Sequence, residues 1–376
     1  MNDRAEEDWA EEGRAETDSV APAPEEQPSV GRPDVPLVIT GAAGWIGSAL
    51  LANSAPGVRL RALVREPAEV EAVLALAPTA ELVVGDLNEP ETLQSLFAGL
   101  VEPEVVHAAG VIHPGRVADF ERVNVDGTKA VLGAAERAGA RRFVHVSSNS
   151  VHGVNPHPTD VFGHQEPMRP YLGYGESKMR AELAVREAHR PGFETVVVRP
   201  PWFYGPHQPA RQTRFFTLIA AGRFPVLGDG SQRRSMVYVD NLVQGISLAL
   251  SQPDAAGGAF WVADARAYPF AEIVETVRQV LAEEGYRVSD RTIHPPSAIG
   301  RFAERADRWL QGRGRYLAEL HVLGELDKTI ACDISVTESV LGYRPRIALA
   351  EGMRRSLQWC ARQGIEVAPR ADGARR

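Results

Sequence analysis

Apolar and polar positions alternate along this chain in two rhythms. Short apolar runs at residues 35–39, 58–65, 82–87, 105–110 and 142–150 are rich in Val, Leu, Ile and Ala and are cut off by Gly, Pro, Asp or Ser. That pattern predicts buried strands. Between them the apolar positions recur at helical spacing, beginning at Ala49-Leu50-Leu51-Ala52 and again over residues 120–138 and 170–190. Strands alternating with helices predict an α/β fold, a doubly wound parallel sheet of the Rossmann type. The alternation breaks after Pro206 and resumes over residues 237–265. Residues 35–206 and 237–265 are therefore expected to form the sheet domain, and 207–236 with 266–345 a smaller C-terminal lobe. Residues 346–376 remain as a C-terminal helix and tail.

Thr40-Gly41-Ala42-Ala43-Gly44-Trp45-Ile46-Gly47 stands between the first strand and the first helix. In a βα unit, Gly41 permits the tight turn, Gly44 admits a pyrophosphate against the backbone, and Gly47 lets helix and strand pack closely. The helix N-terminus then offers free N–H groups to phosphate. Gly41, Ala43, Gly44, Trp45, Ile46 and Gly47 are the expected dinucleotide contacts. The second strand ends in Arg65 rather than the acid that holds an NAD ribose, which favours NADP over NAD through pairing with a 2′-phosphate. Asp86, followed by Leu87, is placed to accept from the adenine amino group. Ala108, Ala109 and Gly110 are small enough for the fourth strand to lie against the cofactor.

The strand over residues 142–150 runs into Ser147-Ser148-Asn149-Ser150. Further on, Tyr174 and Lys178 stand one helical turn apart and share a face. A phenol with an ordinary pKa near 10 is a poor acid or base at neutral pH, and an ammonium beside it lowers that value. A serine hydroxyl from that strand end, beside the tyrosine, can hold the substrate oxygen.

These motifs resemble those of the extended short-chain dehydrogenase/reductases, the group of nucleotide-sugar epimerases and dehydratases and 3β-hydroxysteroid dehydrogenase-like enzymes. The resemblance extends to Asn124-Val125-Asp126-Gly127-Thr128, to Arg199 through Pro206, to Arg234 through Leu242, and to Leu341-Gly342-Tyr343-Arg344-Pro345. It implies an enzyme that transfers hydride at a secondary alcohol or ketone with NAD or NADP, the sheet domain binding the dinucleotide and residues 207–236 and 266–345 forming the substrate-binding lobe. Ser148, Tyr174 and Lys178 would be catalytic, with Ser148 on the substrate oxygen and Ser147 the weaker candidate; Lys178 would also bind the nicotinamide ribose, and Pro200 would lie on the nicotinamide. Asn124 would order the helix beside the site. The substrate implied first is a nucleotide sugar for an epimerase or ketoreductase, with Arg234 on its diphosphate. The alternative is a hydrophobic alcohol or ketone, which Pro201-Trp202-Phe203 favours by putting bulk where many epimerases carry Asn. A dehydratase is disfavoured, because Asn149-Ser150 replaces the usual acidic pair. A non-catalytic NAD(P) sensor would lack the tyrosine or lysine that this chain keeps. The resemblance also implies a homodimer packed through helices starting near Val117 and Leu172.

Composition narrows the setting. With 376 residues and net charge −8, the chain is large enough for a substantial core and unsuited to nucleic acid or an anionic membrane as its main partner. Two cysteines, Cys332 and Cys360, make no disulfide framework, and no signal-peptide core opens the chain, so a cytoplasmic protein is expected. No apolar run is long enough to span a bilayer. Residues 1–34 are acidic and proline-rich and are expected to be a disordered tail. No Cys/His cluster has metal-ligand spacing. Residues 301–317 alternate arginine with apolar residues and are read as an amphipathic lid or solvated helix in preference to a weak membrane-contacting helix; Arg211 and Arg214 fall in the lobe, and His113 is read as an ordinary loop histidine rather than one facing the substrate pocket.

Overall fold

The computed structural model describes residues 29–371. Each predicted run contributes a strand, and a helix of the flanking layers follows each of these strands. The first half of the chain gives β1 (Leu37–Thr40), α1 (Trp45–Ala52), β2 (Leu60–Val64), α2 (Val70–Leu76), β3 (Glu81–Val84), α3 (Pro90–Phe97), β4 (Glu104–His107), α4 (Gly127–Arg137), β5 (Arg142–Val146), α5 (Leu172–Glu187) and β6 (Glu194–Arg199). Then come β7 (Trp202–Tyr204), α6 (Ala210–Ala220), β8 (Arg233–Arg234), β9 (Met236–Tyr238), α7 (Val239–Ser251), β10 (Ala259–Trp261) and β11 (Tyr268–Pro269). Helices α8 (Phe270–Glu283), α9 (Ala298–Gln311), α10 (Ala318–Glu325), α11 (Ser335–Leu341) and α12 (Leu349–Arg362) close the chain.

Seven strands form one parallel sheet in the order β10-β6-β5-β4-β1-β2-β3. Strand periodicity sends alternate side chains to opposite faces. Leu37, Ile39, Val106, Val144 and Val196 enter the core shared with α1 and α7, while Val38, Val105, Phe143 and Val197 enter the core under α3, α4 and α5. The chain leaves β1 toward one edge and β4 toward the other. The loops after these two strands diverge there and open a crevice at their carboxyl ends, where such sheets bind ligands.

The return at residues 237–265 differs in one respect from the sequence expectation. Only β10 joins the large sheet; β9 pairs in parallel with β7 in a separate ribbon. Pro200 and Pro201 lack the N–H groups that would continue β6, so the chain bends away before β7 begins.

Residues 1–28 of the expected tail lie outside the described residues, and its boundary at 34 is corrected. Val30 is fully buried, its N–H donates to the Asn53 carbonyl at 2.9 Å, and Arg32 pairs with Glu104 at 2.9 Å. An isolated valine in an acidic tract carries little weight in composition but fits a gap beside α1. At the other end, Val367 is buried and the Ala371 N–H donates to the Gly285 carbonyl at 2.9 Å. Among the described residues, no helix is long and apolar enough to cross a membrane.

Candidate active site

The glycine loop is shaped by contacts that only glycine allows. Gly41 has φ +73°, and a Cβ there would lie 2.6 Å from the Ala109 nitrogen, so the loop rests directly on the end of β4. A Cβ on Gly47 would overlap the Gly41 and Ala42 carbonyl oxygens. Gly44 is exposed, and no side chain caps α1, leaving the N–H groups of its first turn free for an anion. Ala43 and Ile46 flank this turn, half-buried. The Trp45 indole N–H donates to the Pro206 carbonyl at 2.6 Å and its ring packs on Phe203 at 4.6 Å. These features fit a dinucleotide pyrophosphate.

At the adenosine end the side chains are already engaged. Arg65 is exposed just past β2, and its guanidinium and backbone N–H both bond Glu69. Asp86 accepts from the Asn88 N–H at 2.9 Å and from Arg122 at 3.0 Å, which holds its carboxyl below the usual range. Leu87 is buried against Gly127, where a Cβ would overlap its side chain. Ala108, Ala109 and Gly110 carry β4 to the catalytic side; a Cβ on Gly110 would lie 3.2 Å from Asn124 Oδ1 and 3.9 Å from Lys178 Nζ.

Ser148 opens a single 3₁₀ turn over Asn149–Val151, and its hydroxyl accepts from the Ser150 N–H at 3.2 Å. Ser147 turns the other way and donates to Glu182 Oε2 at 2.7 Å. Adjacent serines at a strand end face opposite sides, so only Ser148 reaches Tyr174. Helix α5 presents Tyr174, Lys178 and Glu182 at successive i, i+4 positions. Lys178 Nζ donates to the Val146 carbonyl at 2.7 Å, and burial pushes its pKa down to about 8. Below it Glu182 and Arg199 form a buried ion pair.

The expected lowering of Tyr174 by Lys178 does not appear. Burial pushes the phenol up to about 12, against the Ser148 hydrogen bond and the Arg211 charge that pull it down. Lys178 is instead tied to the end of β5.

Asn124 sits in a π-helical segment, Phe120–Asp126, leading into α4. Its side chain accepts from the Val111 N–H at 2.8 Å and donates to Val111 O at 3.0 Å and Ser177 Oγ at 2.9 Å. It clamps the chain just past β4 to α5.

Two groups come to the site from far along the chain. Tyr316 bonds His113 Nδ1 at 2.7 Å and stacks edge-on against Phe120 at 5.4 Å, which in turn packs on Tyr174 at 6.0 Å. His113 is thus a half-buried wall residue whose pKa burial lowers to about 4, not an ordinary loop histidine. Gln311 Oε1, at the end of α9, accepts the Gly173 N–H at 3.1 Å. Pro200 is buried, its carbonyl accepting the Asn149 N–H at 3.2 Å. Trp202 is half-buried and packs edge-on against Phe215 at 5.2 Å. Arg234 is only 6% exposed, donates to the Glu325 carbonyl, and leaves its Nε without a hydrogen-bond partner among the described residues. Among the described residues, no group of three or more His, Cys, Asp or Glu is placed to hold a metal ion.

Of these, Glu182 was legible as the i+4 neighbour of Lys178 but escaped the sequence reading, and nothing local marks Tyr316 or Gln311. Comparison with known proteins agrees with the geometry. The chain is 44% identical to the uncharacterized protein y4nL of Sinorhizobium fredii, over 88% of this chain and 97% of that one. It is 30% identical to a 4-hydroxy-2-methyl-3-oxo-4-farnesyl-3,4-dihydroquinoline-1-oxide ketoreductase of Stigmatella aurantiaca, over 84% of this chain and 93% of the relative. The structure of DesIV, a dTDP-glucose 4,6-dehydratase of Streptomyces venezuelae with NAD bound, superposes with TM-score 0.68 at 25% identity, over 87% of this chain and 97% of that one. Residues 37–263 match the NAD dependent epimerase/dehydratase family. With the parallel sheet, the glycine cradle and these relatives together, the chain belongs to that family, the extended short-chain dehydrogenase/reductases, and is an NAD-dependent oxidoreductase.

Proposed function

We propose that this enzyme reduces a ketone on a predominantly apolar substrate, or oxidises the corresponding secondary alcohol. The observation that carries the substrate class is the pair of aromatic contacts just after Pro200, Trp202 against Phe215 and Phe203 against Trp45, which puts apolar bulk where the resemblance places the substrate. Arg234, the cation that a sugar diphosphate would need, is turned into the protein. The polar groups after Ser148 are Asn149 and Ser150, each 3.3 Å from its hydroxyl, and neither can supply the proton that elimination of water requires.

The nicotinamide, when bound, supplies or takes the hydride. Tyr174 gives its phenolic proton to the carbonyl oxygen as that oxygen becomes an alkoxide. A phenol held near 12 is protonated throughout the neutral range, which supports the reducing direction. Ser148 donates the second hydrogen bond to that oxygen, and Lys178 holds the cofactor ribose. Arg65 would meet the 2′-phosphate of NADP, and Glu69 would have to release it. The active unit is a homodimer packed through the helices near Val117 and Leu172, as the family resemblance implies.

A second reading retains a nucleotide sugar. The unpartnered Arg234 Nε favours it, as does the likeness to a dTDP-glucose 4,6-dehydratase. Thermal shift with saturating NADP separates the two. A ligand at a hundredfold over its Kd stabilises by about 2.7 kcal/mol. An apolar ketone that shifts the melt, while UDP, dTDP and GDP do not, supports the first reading; a shift by one nucleotide diphosphate refutes it. Tyr174→Phe should then abolish turnover of that ketone and keep cofactor affinity.

A further inference from the structure

We propose that the outer face of α9 docks this enzyme on an anionic phospholipid surface. The orientation of the helix is fixed by its inner side. Ala303 and Asp307 are buried, and a Cβ on Gly300 would lie 2.6 Å from the Asp327 carboxylate carbon. Residues seven apart on a helix fall nearly on one line. Phe302 and Trp309 make such a pair on the opposite side, 72% and 57% exposed, with Ile299 at 41% one turn before them. Large apolar side chains rarely stand this far into water in a row unless something covers them.

The charge around this row names the cover. Arg301, Arg305 and Arg308 are exposed along the same outward arc, Arg313 lies 3.8 Å over the Trp309 ring, and Arg315 is exposed just beyond. Of the two acids of the helix, Asp307 is turned inward, and Glu304 is shared between Lys328 and one arginine of the arc, Arg308. Asp307 bonds His321 at 2.8 Å, and Glu304 lies 3.3 Å from Lys328 as well as 3.1 Å from Arg308. A chain of net charge −8 has therefore gathered five arginines in fifteen residues around two exposed aromatics. Aromatic rings at headgroup depth, flanked by arginines reaching for phosphate, are how a helix lies in an anionic bilayer interface without crossing it.

The position fits such a role. Gln311 at the end of α9 holds the first turn of α5, and Tyr316 just after it holds His113, so the docked helix stands at the rim of the candidate active site. The inference rests on α9 alone and does not depend on the substrate.

Co-sedimentation of the full chain with phosphatidylcholine vesicles, with and without phosphatidylglycerol, tests it. Binding is expected to the phosphatidylglycerol vesicles, weak binding to phosphatidylcholine alone, and release by high salt. Phe302→Ser/Trp309→Ser should lower the partition coefficient on the order of tenfold or more with an unchanged melting temperature, since both side chains are exposed. Should that variant melt lower, Arg305→Glu on the same exposed arc gives the same reading. Wild type remaining in the supernatant with phosphatidylglycerol vesicles overturns the proposal, as does a variant that pellets like wild type. It is also overturned if the double variant changes the sedimentation coefficient from that of a dimer to that of a monomer, because the face would then join two copies.

Discussion

Replacing Glu182 by Gln tests whether the ion pair under Lys178 sets both stability and charge at the candidate site. Glu182 is 0% and Arg199 3% exposed, and the Arg199 Nε lies 3.1 and 3.3 Å from the two carboxylate oxygens. Ser147 adds a hydrogen bond at 2.7 Å. The amide keeps the shape but turns one acceptor into a donor and leaves a buried guanidinium uncompensated. Breaking such a pair costs about 3–5 kcal/mol. Against a total stability of roughly 5–15 kcal/mol that is a large fraction, readily read from urea unfolding. Replacing both partners, as in Glu182→Leu/Arg199→Met, removes the charges together and should recover most of the loss. A second readout separates charge from packing. The Glu182 carboxylate raises the pKa of Lys178, so Glu182→Gln should push it further below about 8 and move the lysine limb of the pH profile to lower pH. A loss under about 1 kcal/mol, with the pH limb unmoved, would refute this account of the pair.

Three further outcomes follow from the site. Ser148→Ala should lower kcat by about 10²–10³ with little change in stability, whereas Ser147→Ala should cost about 1–3 kcal/mol of stability and leave kcat close to wild type; equal kinetic losses would contradict the opposite facing of the two serines. Gly47→Ala puts a methyl into the Gly41 and Ala42 carbonyls, at a cost of about 1–3 kcal/mol, and titration calorimetry should show dinucleotide affinity at least about tenfold weaker. Lys178 has a folded pKa of about 8 against an ordinary 10.5. Between these values the unfolded chain holds a proton that the folded chain has released, so this group makes stability rise with pH across that window. Lys178→Met should remove that rise, measured as the difference in unfolding free energy between the two proteins.

The large sheet was readable because parallel strands buried on both faces are continuous apolar runs. The cofactor cradle was readable because its glycines answer local demands of turn and close approach. Tyr174 and Lys178 were readable from helical spacing together with the glycine loop and serine-rich strand end that precede them. What the sequence hid is long-range. His113 meets Tyr316 across 203 residues, and neither position carries a mark of its partner. Strands β8 and β11 are two residues each, too short to show any period. The electrostatics of Tyr174 were misjudged for a similar reason. The spacing places the lysine on its face, but the Val146 carbonyl that ties down the ammonium comes from another strand.

The π-helical segment Phe120–Asp126 can be regarded as an inserted residue that the fold has kept. A widened turn of this kind holds one residue more than an α-helix would over the same rise. Removing any single residue there would let the segment rewind as α-helix and rotate what precedes it by about 100° relative to α4. Phe120 would leave Tyr174 and Tyr316, and Asn124 would lose either Val111 or Ser177. The Phe120 contact with Tyr174 and the Asn124 clamp on α5 are thus set by one shared register. A deletion in this stretch, unlike one in an exposed loop, would alter both together, and with them the substrate fit and proton-transfer geometry proposed above.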